Sequence, residues 1–371
     1  MTDANTSDLT FTIIRHKTDL LASEKGWNEL YDESGKNSQI FLTFNWLWHW
    51  LDAHQSPSEN LIILTASQAG KLVLIAPLTS EKRYGLNIVT WAGSPVSQYG
   101  DILIKEHIEN HNWLKEAFKF LVDEIRPDIF HLRKVRFDAA ITPLLENYTA
   151  TILDETAAPY IEILGAQNFT EFNKRYSQRS RKSKRRHRRK LEEHGALSFS
   201  LIKEGPEAEA AAMKAITQKR AWLKEMKIIS PAFNTDLIDR FFKKAAASTE
   251  RPAGIRVSEL KVDGKTVATE IGVQVKDYYG AHLGTYDPDY TSHSPGSLQI
   301  QDTIAALIED GVEVVDLFAP GDTYKYEWSK QTIPVFDFAY SISLKGKLYE
   351  TLYLKRLRPA LKMLAARLSR K

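Results

Sequence analysis

The 371-residue chain reads as an α/β protein of two mixed units, each a twisted sheet flanked by helices. Three observations predict this. The length exceeds what one core comfortably supports. Strand-type and helix-type segments alternate in both halves. The halves are of similar length, which fits a duplicated fold, although no short tandem repeat is visible.

In the first half, Leu61 to Ala66 and Leu72 to Leu78 are apolar runs joined by Gln68-Ala-Gly70, a hairpin signal. Ile88 to Trp91 and Ile102 to Ile104 flank a turn-rich stretch with Gly93, Pro95 and Gly100. Asn112 to Ile125 carries apolar residues at helical spacing and stops before Pro127; Ile129 to Val135 and Pro159 to Leu164 then read as strands. In the second half, Asn168–Glu193, Glu207–Met226 and Thr235–Ala247 read as helices. Strands follow at Ile255–Val262, Val267–Val275 and Tyr278–Tyr286, the first pair joined by Asp263-Gly264. A helix over Ser297–Asp310 ends at Gly311, and Val312–Phe318 is a strand. The tail from Lys345 to Lys371 is helical in pattern and basic.

Composition bounds the function. Hydrophobic residues make up 43% and charged residues 26%, the range of a soluble globular protein. The chain has no cysteine, which excludes disulfides, thiolate metal sites and a cysteine nucleophile and fits a reducing compartment. Met1 to Thr10 lacks the features of a secretory signal, and Ile40 to Leu51 is too short for a membrane span, so a cytoplasmic location is expected. Nine positive charges lie between Arg179 and Lys190 with no acid among them; taking nine from the net +3 leaves the remainder at −6. This block reads either as a solvated connector or as a polyanion site for nucleic acid, anionic lipid or a phosphorylated sugar carrier. The leucines of the tail, set among Lys355, Arg356, Arg358, Lys362 and Arg367, suit a membrane surface or a docked helix equally. His107 and His111, four residues apart with Glu109 between them, superficially suggest metal, but no third ligand is evident and no metal is expected. No phosphate-loop, Ser-His-Asp or dinucleotide motif is present.

The order strand, Asp-Gly turn, strand, strand, Ser294-Pro295-Gly296, helix, strand carries the chemical signal. Ser294 is placed to cap the helix, Pro295 suits its first position, and Gly296 lets a ligand approach the backbone. The first-turn N–H groups and the helix dipole favour an anion such as a diphosphate. Tyr286-Asp-Pro, Ser294-Pro-Gly-Ser-Leu298, Val315-Asp316-Leu-Phe and Gly321-Asp-Thr-Tyr324-Lys325-Tyr-Glu-Trp328 resemble the BcsL/CelD-type acetyltransferases of the GNAT superfamily. These are associated with polysaccharide biosynthesis and are similar to FemAB-like proteins with two GNAT folds in tandem. Phe41 with Trp46 and Trp50, Ala76-Pro77-Leu78, Tyr99-Gly-Asp101 and Lys219-Arg-Ala-Trp222 extend the resemblance over most of residues 40 to 335. Ser294-Pro-Gly-Ser stands where typical members have a glycine-rich pyrophosphate loop.

The resemblance implies tandem GNAT-like domains over 9–165 and 166–344, with a basic helical insertion at 168–193 and a basic helix at 345–371. It also implies acyl transfer, with acetyl-CoA as donor and a sugar, polysaccharide or lipid-linked glycan precursor as acceptor. The alternatives are an aminoacyl-tRNA-dependent transferase or a non-catalytic polyanion-binding module. Beside the acyl-CoA and glycan partners, peripheral contact with an anionic membrane surface is a further expectation. Donor-binding residues would be Ser294, Pro295, Gly296, Ser297 and Leu298, with Val267–Val275 and Val312–Phe318 flanking the acyl cleft. Candidate bases are Glu270 and Asp316; candidate acids for the departing thiolate are Tyr286 and Tyr324. Glu270 is either buried with a raised pKa or an outer-face residue of an alternating strand. Lys325, Trp328 and His282 are candidate substrate contacts.

Overall fold

A computed structural model describes residues 9–54, 60–105, 111–228, 230–361 and 363. The chain divides into Met1–Ala157 with Ile333–Lys371 as one unit and Ala158–Thr332 as the other. The first unit contains β1 (Leu9–Ile14), α1 (Lys17–Ala22), α2 (Glu24–Ser34), α3 (Phe44–Ala53), β2 (Leu61–Gln68), β3 (Lys71–Arg83), β4 (Leu86–Trp91), β5 (Leu103–Ile104), α4 (His111–Ile125), β6 (Ile129–Arg136) and α5 (Thr142–Asn147). Strand β7 (Thr151–Glu162) spans the division. The second unit contains α6 (Phe169–Phe172), α7 (Gln178–Glu192), β8 (Leu197–Lys203), α8 (Pro206–Glu225), α9 (Leu237–Ala247), β9 (Gly254–Val262), β10 (Lys265–Val275), β11 (Tyr278–Tyr286), α10 (Pro295–Glu309) and β12 (Val314–Asp316). The chain then returns to the first unit as β13 (Thr332–Ser341), α11 (Leu344–Leu348) and a π-helical stretch, Tyr349–Leu357.

The two units repeat one topology. In the first, β1, β2, β3 and β4 are antiparallel neighbours, β6 joins β4 in parallel, and β13 closes antiparallel to β6. In the second, β8, β9, β10 and β11 are antiparallel neighbours, β12 joins β11 in parallel, and the end of β7 closes antiparallel to β12. Each parallel pair is bridged by one crossover helix, α4 or α10, because a parallel step needs a long connection. The closing strands are exchanged along the sequence: residues after β6 complete the second sheet and residues after the second unit complete the first. The expected boundary at 344 therefore moves, since 333–344 belong to the first unit.

Local chemistry explains the elements. Asp263 and Gly264 both have positive φ, as do Ala69-Gly70 and Tyr84-Gly85, the requirement of tight hairpins that twist with their strands. Strands β9 and β10 are buried along almost their whole length, so both faces of this sheet are covered. Helix α10 packs on β9, β10 and β11, as do α8 and α9 on the same sheet. The expected helix at 168–193 divides into α6, a short 3-10 turn and α7, whose start is capped by the Ser177 hydroxyl accepting from Ser180 N–H. Strands β1, β8 and β13 had no counterpart in the sequence reading. His107, Glu109 and the tail beyond Met363 lie outside the described residues.

The tail helix is held by two contacts. Glu350, 1% exposed, accepts from the Thr151 and Ser341 hydroxyls and pairs with Lys347 and Lys355, contacts that outweigh burial and hold its carboxyl down at about 2. Gly346 lies where an added Cβ would stand 1.9 Å from the Asp128 carbonyl oxygen. Gly346→Ala is expected to cost about 1–3 kcal/mol, read as a lower Tm. An unchanged Tm would contradict this packing.

Candidate active site

The second unit opens where β11 and β12 part. Their parallel pairing covers Tyr278 with Val314, Tyr279 with Val315 and Gly280 with Asp316, and stops there. Strand β11 continues to Tyr286, while the chain after β12 turns away through Phe318, whose φ is +57°. The neighbour of β12 across the gap is thus β11, not the expected Val267–Val275 strand, which lies one position further into the sheet. Pairing between β10 and β11 skips His282, so His282 is the extra residue of a bulge on the strand that borders the gap. Its ring lies 5.2 Å from that of Phe242 and 6.2 Å from that of Phe318.

Glu270 sits on β10 and is 6% exposed, which decides the question the sequence left open. Tyr279 Oη donates to its carboxylate at 2.9 Å, and the Gln299 amide of α10 is a second hydrogen-bond partner. Burial raises the Glu270 pKa, Tyr279, Gln299 and Lys325 pull it back, and the balance is about 7. Gln299 also donates to Ser258 Oγ at 2.5 Å and Thr303 Oγ1 at 2.8 Å, which orients its amide. Gly272, two residues along β10, leaves room for the Tyr279 hydroxyl: a Cβ there would stand 1.9 Å from it. In register opposite Glu270 is Gly284, exposed and with no atom within 4 Å of an added Cβ. Paired residues share a face, so open space adjoins the buried carboxylate.

Asp316 has a different task. It is 1% exposed, accepts from Tyr278 Oη at 2.6 Å and accepts Phe318 N–H at 2.7 Å. These contacts brace the point where the chain leaves β12. Lys325 is also committed. Its ammonium donates to the carbonyls of Phe318 at 2.9 Å and Pro320 at 2.8 Å, so it ties down the loop after β12. Burial lowers its pKa, opposed by Asp322, Asp316 and Glu270. Tyr324 remains 51% exposed, yet burial of its hydroxyl, followed by the charges of Glu270 and Asp322, raises its pKa. It therefore keeps its proton at neutral pH.

Trp328 does not offer a face to a sugar. It is 3% exposed, lies edge-on to Tyr176 at 5.7 Å, and carries the Lys184 ammonium 3.0 Å from its ring centroid. Tyr286 is half-buried beside the start of α10, 3.9 Å from where a Gly296 Cβ would be. Ser294 has left-handed backbone, φ +50°, and its hydroxyl does not cap the helix; its carbonyl accepts from Ser297 and Leu298 N–H. Pro295 and Leu298 are buried, and Ser297 is partly exposed. In the Lys219-Arg-Ala-Trp222 stretch, Lys219 lies within the field of Asp322 and over the Trp222 ring, and Arg220 holds the Phe233 and Thr235 carbonyls.

The sequence reading passed over Tyr279, Gln299, Gly284 and Ser258. A glutamine between Leu298 and Ile300 on an apolar helix face was the available signal. Among the described residues, no group of three or more His, Asp or Glu is arranged for a metal, and no helix is long and apolar enough to cross a membrane.

The corresponding gap of the first unit is filled by its own chain. Strands β4 and β6 pair only at Ile88–Ile129 and Val89–Phe130; beyond, Gly100 N–H donates to Lys134 O at 3.1 Å. Trp91 packs so closely that a Cβ on Gly100 would stand 2.1 Å from its indole. Asp101 secures this plug by accepting from Gln39 Nε2 and from the N–H groups of Ile102, Ala140 and Ile141.

Residues 178–326 match the family model of the acetyltransferase (GNAT) domain. The fold is similar to that of solved structures across most of the chain. A FemX structure aligns with a TM-score of 0.58 at 9% identity, covering 89% of this chain and 98% of FemX. A tandem GNAT protein from the clavulanic acid biosynthesis pathway aligns at 0.52 and 11% identity, covering 90% and 98%. The C-terminal domain of a putative lysylphosphatidylglycerol synthetase from Agrobacterium fabrum aligns at 0.50 and 13%, covering 89% and 95%. Comparison with curated protein sequences finds no match.

The stability of Glu270→Gln tests the site's electrostatics. A carboxyl whose folded pKa is raised from 4.5 to about 7 contributes stability that is full below pH 4.5 and is lost as pH rises through 7. Wild-type protein is expected to lose stability relative to Glu270→Gln across that window in denaturant titrations. Parallel pH profiles would contradict a buried, strained carboxylate.

Proposed function

We propose that the second unit is the catalytic half of an acyl-CoA-dependent N- or O-acyltransferase, with acetyl-CoA the expected donor. The observation that carries this reading is Glu270: a buried carboxyl with a pKa of about 7, beside open space at Gly284 and next to the parted strands β11 and β12. The match of residues 178–326 to a GNAT acetyltransferase domain supports it.

The donor's diphosphate would meet the start of α10 at Ser294–Leu298, and its thioester would enter the gap. The acceptor amine or hydroxyl attacks the thioester carbonyl; the new C–N or C–O bond forms, the C–S bond breaks, and Glu270 takes the acceptor's proton. Tyr324 or Tyr286 donates a proton to the departing thiolate, so CoA leaves as the thiol; the raised pKa of Tyr324 weakens it in that role. With no cysteine in the chain, transfer through a cysteinyl thioester does not arise. Asp316 and Lys325 position the loop that bears Tyr324. The filled gap of the first unit supports seeking the donor in the second.

A sugar, polysaccharide or lipid-linked glycan precursor is the acceptor class we favour, in the cytoplasm where acyl-CoA is available. This choice rests on the resemblance of Tyr286-Asp-Pro, Ser294-Pro-Gly-Ser and Gly321-Asp-Thr-Tyr324-Lys325 to BcsL/CelD-type enzymes. The test is turnover of acetyl-CoA with amino-sugar and glycan acceptors across pH 5.5–9, read as free thiol. The rate is expected to fall as pH drops through about 7, where Glu270 takes up its proton. Glu270→Gln should lower kcat by about a hundredfold or more. A flat profile below pH 8, or a fully active Glu270→Gln, would overturn Glu270 as the base.

A further inference from the structure

The sequence of the tail suits a membrane surface and a docked helix equally, and the structure divides these roles between two faces. Gly346, Glu350 and Leu354, spaced by four, face the first unit. Gly346 lies against the Asp128 carbonyl, Glu350 is 1% exposed, and Leu354 joins the core cluster of Leu86, Ile88, Ile129 and Ala339. Leu344, Leu348, Leu352, Leu357 and Leu361 are instead 50 to 91% exposed, against 3% for Leu354. The helix geometry keeps these five leucines together. In an uninterrupted α-helix their steps of four, four, five and four residues would drift around the axis. Tyr349–Leu357 is π-helical, and the Arg358 N–H bonds the Tyr353 carbonyl five residues back. A π-helix turns through a smaller angle per residue, so the five-residue step from Leu352 to Leu357 returns to the same side. Residues 358–361 are α-helical again, which brings Leu361 onto that side as well.

Positive charge accompanies this stripe. From Ile342 to Lys371 the sequence has nine Lys and Arg and one acid, Glu350. That acid is buried and already paired with Lys347 and Lys355. Lys345 and Arg356 are exposed. Beside the helix, at the turn between β3 and β4, Tyr84 is 69% exposed. Its ring lies 6.2 Å from that of Tyr353 and 5.1 Å from the Arg83 guanidinium. An apolar stripe accompanied by cations and an exposed tyrosine matches the headgroup level of an anionic bilayer. A second copy of this chain fits the stripe less well. The leucine steps are not the alternating three and four of a coiled-coil seam, and two such basic surfaces repel each other.

We propose that the outer face of the tail helix, with the Tyr84 turn, docks the protein on an anionic phospholipid surface. The leucines enter the boundary between headgroups and acyl chains, while Lys345 and Arg356 meet the lipid phosphates. The proposal stands apart from the acyl-CoA chemistry, because lipid binding is measured without donor. Helix α7 is the rival basic surface. Its exposed positions include no apolar side chain, so it offers charge alone.

The experiment is co-sedimentation of the protein with vesicles of phosphatidylcholine alone and of phosphatidylcholine mixed with phosphatidylglycerol. Wild type is compared with Leu348→Gln/Leu352→Gln, with Lys345→Gln/Arg356→Gln, and with Lys182→Gln/Arg185→Gln, which removes the same charge from α7. A thermal melt confirms that each is folded. Wild type should bind the mixed vesicles about tenfold or more tightly than the neutral ones. The leucine variant and the Lys345/Arg356 variant should each lose about tenfold in affinity for mixed vesicles, and the α7 variant less than about twofold. Wild type that does not bind mixed vesicles would overturn the proposal. So would equal weakening by the two charge variants, or full binding by Leu348→Gln/Leu352→Gln. A wild-type dimer in analytical ultracentrifugation that the leucine variant dissociates, without vesicle binding, would assign the stripe to a second copy instead.

Discussion

The parting of β11 from β12 after Gly280 and Asp316 is the constraint on which the rest of the second unit depends. Two parallel strands that separate leave backbone without a partner strand, and that space is filled by chain, by water or by ligand. In the first unit the chain fills it, with Gly100 bonded to Lys134 and covered by Trp91. In the second unit Asp316 and Lys325 instead hold the departing chain away from β11: Asp316 fixes Phe318, and Lys325 ties the Phe318 and Pro320 carbonyls. One topology, used twice, thus gives one filled gap and one open gap.

Beside the open gap the fold maintains an unfavourable group. A carboxyl buried between two strands and a helix destabilises the folded state at neutral pH, and hydrophobic packing could replace it. The Tyr279 hydroxyl and the Gln299 amide offset part of that cost, and Gly272 exists as glycine to admit the tyrosine. Such local strain in an otherwise well-packed sheet is where chemistry is expected.

Much of this was legible in the sequence, for physical reasons. Asp263-Gly264, Pro295 and Gly311 declare their turn, helix start and helix end, because few residues suit those backbone angles. The mixed α/β character of each half followed from alternating periodicities; that the two repeat one fold followed from the family resemblance. The exchange of closing strands did not, since β7 and β13 carry no local mark of which sheet they complete. Glu270 was ambiguous because alternation along one strand cannot reveal that helices cover both faces. The partners of Trp328 and Lys325, the Lys184 ammonium and the Phe318 carbonyl, come from tertiary packing that residue type does not disclose. Ser294 looked like an ordinary helix cap, yet its left-handed backbone turns the hydroxyl from that role.

On the proposed acyl-CoA chemistry, the thioester enters the space beside Glu270 and Gly284. Gly284 is exposed, has ordinary backbone angles and no neighbour within 4 Å of an added Cβ, so a larger side chain there fills the space without straining the fold. The most direct measurement is acetyl-CoA binding to wild type and to Gly284→Leu, with Tm recorded for both. Wild type is expected to bind, and Gly284→Leu to lose binding at unchanged Tm. Equal binding by the two proteins would contradict this.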